Sequence, residues 1–440
     1  MEHYKMNLRL KSPIYVQLEI TKSCNNFCDY CYNFWRKDPL ERIRVEAYPL
    51  SHYIQIISKL IEEDVFQLTL TGGEPLLRKD LLPKIIEHAS SGGLDVSLNT
   101  NLSLMDKETL LSLKGAGLKS ILGSLISWDR ATHNKIANNP CSYDSTLRGI
   151  GYVVSEGVSL GINMVVEKRN LEHILETARM LSKIGVSHFF ATKLNPSPEK
   201  DSQQALTLNP DETRRALDYL LIARKELKIK VDVLEPLPHC FIRNPEHLTL
   251  LDRTCTAGVT WVSISPEGDV RACTHLSESY GNILREDLAV IWDRMQEWKD
   301  EKFVPIECRD ECVEYPFCGG GCRSGALTQG NIYGRDPLMT SPLKEQINRR
   351  EEKTTINRDE PLRLNKKTRY RLEPFGMTLY INPKRVAFVN QDAVKVIRYL
   401  AGKEQFTLDS LEEELSLTEY LDSFCQHMIQ KGIISRVKNN

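Results

Sequence analysis

The first half of the chain predicts an α/β fold. Strand-length apolar runs alternate with helix-length amphipathic stretches, and glycine-rich or polar residues follow the runs. The predicted strands are Tyr15–Thr21, Gln67–Thr71, Leu94–Thr100, Ser120–Leu125, Ser159–Val166 and His188–Thr192. Between them, Ser51–Glu63, Leu82–Ser90, Lys107–Gly115 and Leu171–Ile184 carry apolar residues at helical spacing. Such alternation calls for a parallel sheet with right-handed crossovers. Six units make a curved sheet that stops short of an eight-fold barrel, with ligand sites at the carboxyl ends of its strands.

Two motifs sit at those ends. The first is Cys24-Asn-Asn-Phe-Cys28-Asp-Tyr-Cys31. Its gaps are too short for comfortable disulfides, yet three thiolates can converge on a cubane cluster and leave its fourth iron open. An open iron implies a small-molecule ligand, and Tyr30 is placed to shield the cluster from water. A zinc knuckle would need a fourth nearby Cys or His, and the nearest downstream histidine is His52. The second motif is Gly72-Gly73-Glu74-Pro75 after the strand Leu68–Thr71. Glycines let backbone approach a ligand closely, and Glu74 offers charge to an ammonium.

Together these motifs resemble the radical SAM superfamily, whose signature is CxxxCxxC with an aromatic residue before the third cysteine. The resemblance implies a partial (β/α)6 barrel over residues 15–225 and a [4Fe–4S] cluster on Cys24, Cys28 and Cys31. It also implies S-adenosylmethionine, its methionyl amine held by the turn Gly72, Gly73, Glu74 and Pro75. Asn99 and Asn101 match the family's asparagine after the third strand. Ser124 and Asn163 fall where relatives touch the nucleoside ribose. Each of these four also reads as a turn-capping or strand-end polar group. The family's acidic residue after the fourth strand has no counterpart in Ser124-Leu125-Ile126-Ser127-Trp128.

The 440 residues suffice for two or three domains, and a net charge of −1 gives no bulk attraction to nucleic acid or an anionic membrane. No apolar run approaches the roughly 18 residues that span a bilayer. The start, Met1-Glu2-His3-Tyr4-Lys5, lacks the apolar core of a secretion signal. Most of the 12 cysteines stand in short-gap clusters, which suits metal clusters in a reducing cytoplasm better than disulfides.

After a connecting segment at 226–250, a cysteine-rich domain is expected over 251–340. Cys255 precedes the strand Val259–Ile264, the turn Pro266-Glu267-Gly268-Asp269 and a return strand to Cys273. Cys308, Cys312, Cys318 and Cys322 follow. This layout resembles the SPASM domain, a twin-cluster extension of peptide-modifying radical SAM enzymes; a zinc ribbon is the plain alternative. The resemblance implies one auxiliary cluster on Cys255, Cys273 and Cys322, with Cys240 the most available fourth thiolate. It gives the other to Cys308, Cys312 and Cys318. Met339, in Asp336-Pro337-Leu338-Met339, stands where the family's last cysteine is expected. That second cluster is therefore open, ligated by an oxygen such as that of Asp336, or absent. Of the two cysteines left over, Cys425 reads as a buried small hydrophobe. Cys141 reads as an inert thiol or, alternatively, a hydrogen-atom donor.

A charged linker over 341–367, including Arg349-Arg350-Glu351-Glu352-Lys353, leads to a last domain over 368–440 with three strands' worth of pattern and three helices. It reads as a small winged-helix-like α+β domain and resembles the PqqD-like RiPP recognition element, which binds leader peptides at a sheet edge. A DNA-binding winged helix would want a basic recognition helix, and Leu408–Leu415 is acidic.

The expected function is a radical SAM/SPASM enzyme that modifies a ribosomally made precursor peptide, by an oxidative cross-link in preference to epimerisation. The resemblance implies an external electron donor such as flavodoxin or ferredoxin. Maturation of a peptide-derived redox cofactor, of pyrroloquinoline quinone or mycofactocin type, shares the same domains. A non-catalytic metal-binding regulator that contacts DNA is a reading of another class.

Overall fold

The computed structural model describes residues 9–33, 48–196, 201–348, 356–415 and 420–437. The chain forms two compact units: Met1–Met6 with Ser12–Arg349, and Asn7–Lys11 with Arg350–Asn440. Residues 1–8 of the N-terminal segment expected over 1–14, and 349–355 of the expected linker, lie outside the described residues.

The first unit is built on one ten-stranded sheet. Its strands are β1 (Tyr15–Thr21), β2 (Gln67–Gly72), β3 (Asp95–Thr100), β4 (Leu118–Ser124), β5 (Ser159–Val166), β6 (His188–Lys193), β7 (Lys230–Asp232), β8 (Trp261–Ile264), β9 (Asp269–Arg271) and β10 (Gly281–Asn282). The order is β10-β9-β8-β1-β2-β3-β4-β5-β6-β7. Neighbours from β1 to β7 are parallel, and β8 joins the other side of β1, also parallel.

Alternation along each strand sorts the residues onto two faces. Leu68, Leu70, Val96, Leu98, Ile162 and Met164 are fully buried on the face covered by helices. Those helices include Leu50–Glu62, Leu82–Ser91, Ile174–Ile184 and Pro210–Glu226. The opposite, concave face is polar. There Ser97 Oγ receives the Gln67 amide at 3.3 Å and lies 2.9 Å from the Thr69 hydroxyl. Further along, Thr192 Oγ1 donates to Asn163 Oδ1 at 2.6 Å.

The six predicted strands are present, and four more extend their sheet. The three-residue β7 lies in the segment expected to be a connector; a strand that short carries no legible period. The hairpin β8–β9 was expected in a separate domain, yet it continues the barrel sheet. The reason is the left side of β1, whose backbone groups need partners that only a distant segment supplies. The union is fixed by a buried ion pair in which Arg271 Nη2 donates to Glu19 Oε1 at 2.6 Å. At the hairpin turn, Lys22 pairs with Glu267 at 2.5 Å and His52 Nε2 lies 2.8 Å from the Pro266 carbonyl.

The second unit holds an antiparallel sheet of β12 (Arg369–Glu373), β13 (Gly376–Asn382) and β14 (Arg385–Asn390). Three helices follow, Gln391–Ala401, Leu408–Leu415 and Leu421–Gln430. Leu379, Val389, Ile397, Leu411 and Met428 meet in its core, with Cys425 buried among them. A two-stranded ribbon of β11 (Leu362–Leu364) and β15 (Ile434–Arg436) closes the unit. It joins the end of the chain to the stretch expected to be linker. No described helix is long and apolar enough to cross a membrane.

Removing one partner of a buried ion pair strands the other charge, at a cost of about 3–5 kcal/mol. Arg271→Leu is therefore expected to lower the urea midpoint of the apo chain markedly. The double variant Glu19→Leu with Arg271→Leu is expected to regain most of that loss.

Candidate functional site

The carboxyl ends of β1, β2 and β3 converge, and their loops are bonded to one another. β2 runs into Gly72, whose φ of +129° favours glycine. A side chain at Gly72 would stand 2.4 Å from the Thr21 carbonyl oxygen, and one at Gly73 only 1.9 Å from that of Ser23. The amide of Gly73 donates to Thr21 O at 2.6 Å and that of Glu74 to Ser23 O at 2.7 Å. The glycines thus bring the turn against the chain's own backbone, immediately before Cys24.

Glu74 is fully buried. Its Oε1 accepts from Leu76 N at 3.0 Å and from Thr100 Oγ1 at 2.6 Å; its Oε2 accepts from Asn101 N at 2.8 Å. Burial raises its pKa, and these three donors oppose the rise. The carboxylate ties the end of β2 to the end of β3. Pro75 opens the turn that follows, also buried.

Asn101 carries the connection to the cysteines. Its Nδ2 donates to Asn25 Oδ1 at 2.8 Å and lies 4.0 Å from Cys24 Sγ, while Asn25 Nδ2 donates to Ser103 Oγ at 2.7 Å. Asn99 alternates with the buried Leu98 and Thr100, which puts it on the concave face. Ser124 and Asn163 are register partners on that same face, with Thr192 beside them. Those three form a polar row across β4, β5 and β6.

The cysteine loop is braced from its far side as well. Phe27 N and Asp29 N donate to the carbonyls of Ala137 and Ile136 at 3.0 and 3.1 Å. Asn139 Nδ2 reaches Asn26 Oδ1 at 2.8 Å, and Asn26 Nδ2 reaches Ser142 Oγ at 3.1 Å. Arg169 pairs with Asp29 at 3.0 Å. Cys141 stands exposed at the start of the helix Ser142–Ser155, among these bracing residues and away from the strand ends. No sequence signal marked this bracing, because asparagine side chains bonded to loop backbone have no period. Glu19 and Arg271 were also missed, although a charge at an alternate position of an apolar strand was a legible hint.

Cys28 and Tyr30 pack against the buried Ile126, Ile136 and Ala137. The Cys28 thiol is pushed well above its ordinary pKa by burial, then by Cys24 and Cys31. A buried thiol placed beside two others suits an iron cluster that supplies the positive charge itself. Tyr30 hydrogen-bonds Cys28 and is likewise raised by burial. The next aromatic, Tyr32, stacks on His275 of the hairpin's far end with ring centroids 4.9 Å apart.

Apart from Cys141 and Cys425, the remaining cysteines form two sets. Cys322 feels Cys255 and Cys273, and burial pushes Cys273 up to about 12. Asp336 belongs beside this set: Oδ2 accepts from Cys322 N at 3.1 Å and Oδ1 from Leu338 N at 2.9 Å. Cys240 lies with Cys308, Cys312 and Cys318 around one recess. Its place there, and that of Asp336 beside Cys322, are the reverse of the placement expected from the sequence. Burial, then Cys318 and Cys240, pushes the Cys308 thiol up to about 12. Among the described residues no three His, Cys, Asp or Glu close on a point for one metal ion.

Sequence comparison agrees with this geometry. The radical SAM superfamily matches residues 18–181, and the iron–sulfur cluster-binding SPASM domain matches residues 255–316. The chain therefore carries a radical SAM domain, with its [4Fe–4S] cluster and S-adenosylmethionine, followed by a SPASM domain for auxiliary iron–sulfur clusters. It is similar to the PqqA peptide cyclase of Xanthomonas oryzae pv. oryzae, 28% identical over 76% of this chain and 90% of that protein. It is also similar to the AdoMet-dependent heme synthase of Methanosarcina barkeri, 26% identical over 73% of this chain and 94% of that protein. Among solved structures, Streptococcus suis SuiB bound to precursor peptide SuiA shares the fold. The TM-score is 0.58 at 17% identity, over 74% of this chain and 75% of that one.

Gly73→Ala places a methyl group on fixed backbone and is expected to displace the cysteine loop. The reconstituted variant should lose about four irons per chain. Gly151→Ala, where an added Cβ meets nothing within 4 Å, should lose none. In the apo chain at pH 8, a thiol held near 12 is thiolate in roughly one molecule in ten thousand. Brief iodoacetamide treatment is expected to label exposed Cys141 well before Cys273 or Cys308, with mass spectrometry locating the adducts.

Proposed function

We propose that the chain is a radical SAM/SPASM enzyme that modifies a ribosomally made precursor peptide, forming an oxidative side-chain cross-link. The observation that carries this reading is the convergence at the β1–β3 ends. Three thiols are held there beside a polar concave face, with two further cysteine sets in the same unit. When bound, the reduced cluster and S-adenosylmethionine supply a 5′-deoxyadenosyl radical able to take an unactivated hydrogen atom. The chain's own residues hold and place. Asn101 and Asn25 fix the loop at Cys24, Glu74 locks the strand ends, and Tyr30 shields the thiols with Ile126 and Ile136. Asn99, Ser124 and Asn163 offer hydrogen bonds to a nucleoside on the concave face. An electron released by the product radical would pass to the auxiliary sets and leave through a small redox protein such as flavodoxin or ferredoxin.

The second unit is proposed to hold the leader. Tyr370 and Leu372 are 60% and 50% exposed on β12, an end strand of its sheet, and this supports strand addition. Tethering the leader would raise the local concentration of the core peptide. A second reading, maturation of a peptide-derived redox cofactor, is favoured by the likeness to PqqA peptide cyclases.

Anaerobic incubation with reductant and S-adenosylmethionine is expected to yield 5′-deoxyadenosine and methionine, and Cys28→Ala to abolish both. A short peptide encoded beside the gene should leave that reaction lighter by two hydrogens when cross-linked. An unchanged peptide mass alongside decarboxylation of an added tetrapyrrole would overturn the proposal.

A further inference from the structure

Sequence places a methionine where the second auxiliary set needs its last thiolate, and a thioether is a weak ligand that cannot ionise. Space resolves the deficit. Cys240, on the short turn His239–Phe241, lines the same recess as Cys308, Cys312, Cys318 and Met339. The segment that carries the methionine is pinned to this cysteine across 100 residues of chain. Thr340 N donates to Cys240 Sγ at 3.3 Å, and Thr340 Oγ1 to the Cys240 carbonyl at 2.8 Å. Met339 Sδ lies 4.0 Å from Cys308 Sγ, at the recess wall.

The sulfurs are also provided with donors. Leu343 N points at Cys312 Sγ at 3.3 Å and His239 N at Cys318 Sγ at 3.4 Å, in addition to the Thr340 contact. Backbone N–H groups aimed at sulfur stabilise thiolates and tune the clusters they hold. Three of four thiols in one recess share this feature.

We propose that Cys240, Cys308, Cys312 and Cys318 together bind a complete four-thiolate cluster, with Cys240 replacing the thiolate absent at Met339. The inner set then keeps only Cys255, Cys273 and Cys322. Asp336 serves it as a positioning residue, since its two oxygens accept from the amides of Cys322 and Leu338. This inference rests on the assignment of a SPASM domain but not on any peptide substrate.

The test uses the full chain with Cys24, Cys28 and Cys31 all replaced by alanine, so that only auxiliary clusters remain. Iron is counted and the reduced protein is examined by electron paramagnetic resonance. Adding Cys240→Ala is expected to remove about four irons and the same resonance that Cys312→Ala removes, leaving the resonance sensitive to Cys273→Ala intact. Should Cys240→Ala fail to fold by circular dichroism, Cys240→Ser is expected to shift that one resonance through its oxygen ligand. Full iron with unchanged spectra, or loss of the Cys273-sensitive resonance instead, would overturn the assignment. Neither outcome depends on peptide turnover, so failure here is distinguishable from failure of the proposed function.

Discussion

Everything at the concave end of the first unit depends on the Glu74 carboxylate and the bonds that surround it. A buried carboxylate is costly unless its lone pairs are filled, and here the donors come from two different strand ends. The arrangement is therefore self-locking. β2 cannot move relative to β3 without stranding a charge, and Asn101, held by the same carboxylate, passes that rigidity to Asn25 beside Cys24. The cysteine loop is held from within the barrel by this network and from outside by Asn139 and Ser142.

Much of this architecture was legible in the chain. Strands such as Tyr15–Thr21 and Ser159–Val166 are long and apolar enough to declare themselves, and the cysteine spacing carried its chemistry openly. What escaped was of two kinds. Three-residue strands such as Lys230–Asp232 and Leu362–Leu364 have no period to read, and they exist because a sheet edge supplies partners. Long-range swaps escaped too. Local spacing could not tell which recess Cys240 lines, because its position is held by a contact with Thr340, far along the chain.

The glycine-rich turn is a subtler case. Its glycines bring the turn against the backbone of Ser23 in the same chain. Glycine reports that space is short; it does not report what fills the space. Glu74, a charged residue beside that turn, likewise accepts from three neighbouring donors.

The pairing of β8 with β1 turns a boundary between sequence regions into an interior seam. Cutting the chain near residue 250 would open a backbone edge in the middle of a continuous sheet and orphan Glu19 beside it. Such a fragment would be prone to aggregate, or to borrow the hairpin of another copy. For this chain the two regions share one sheet, and manufacturing either half by itself would leave that seam exposed.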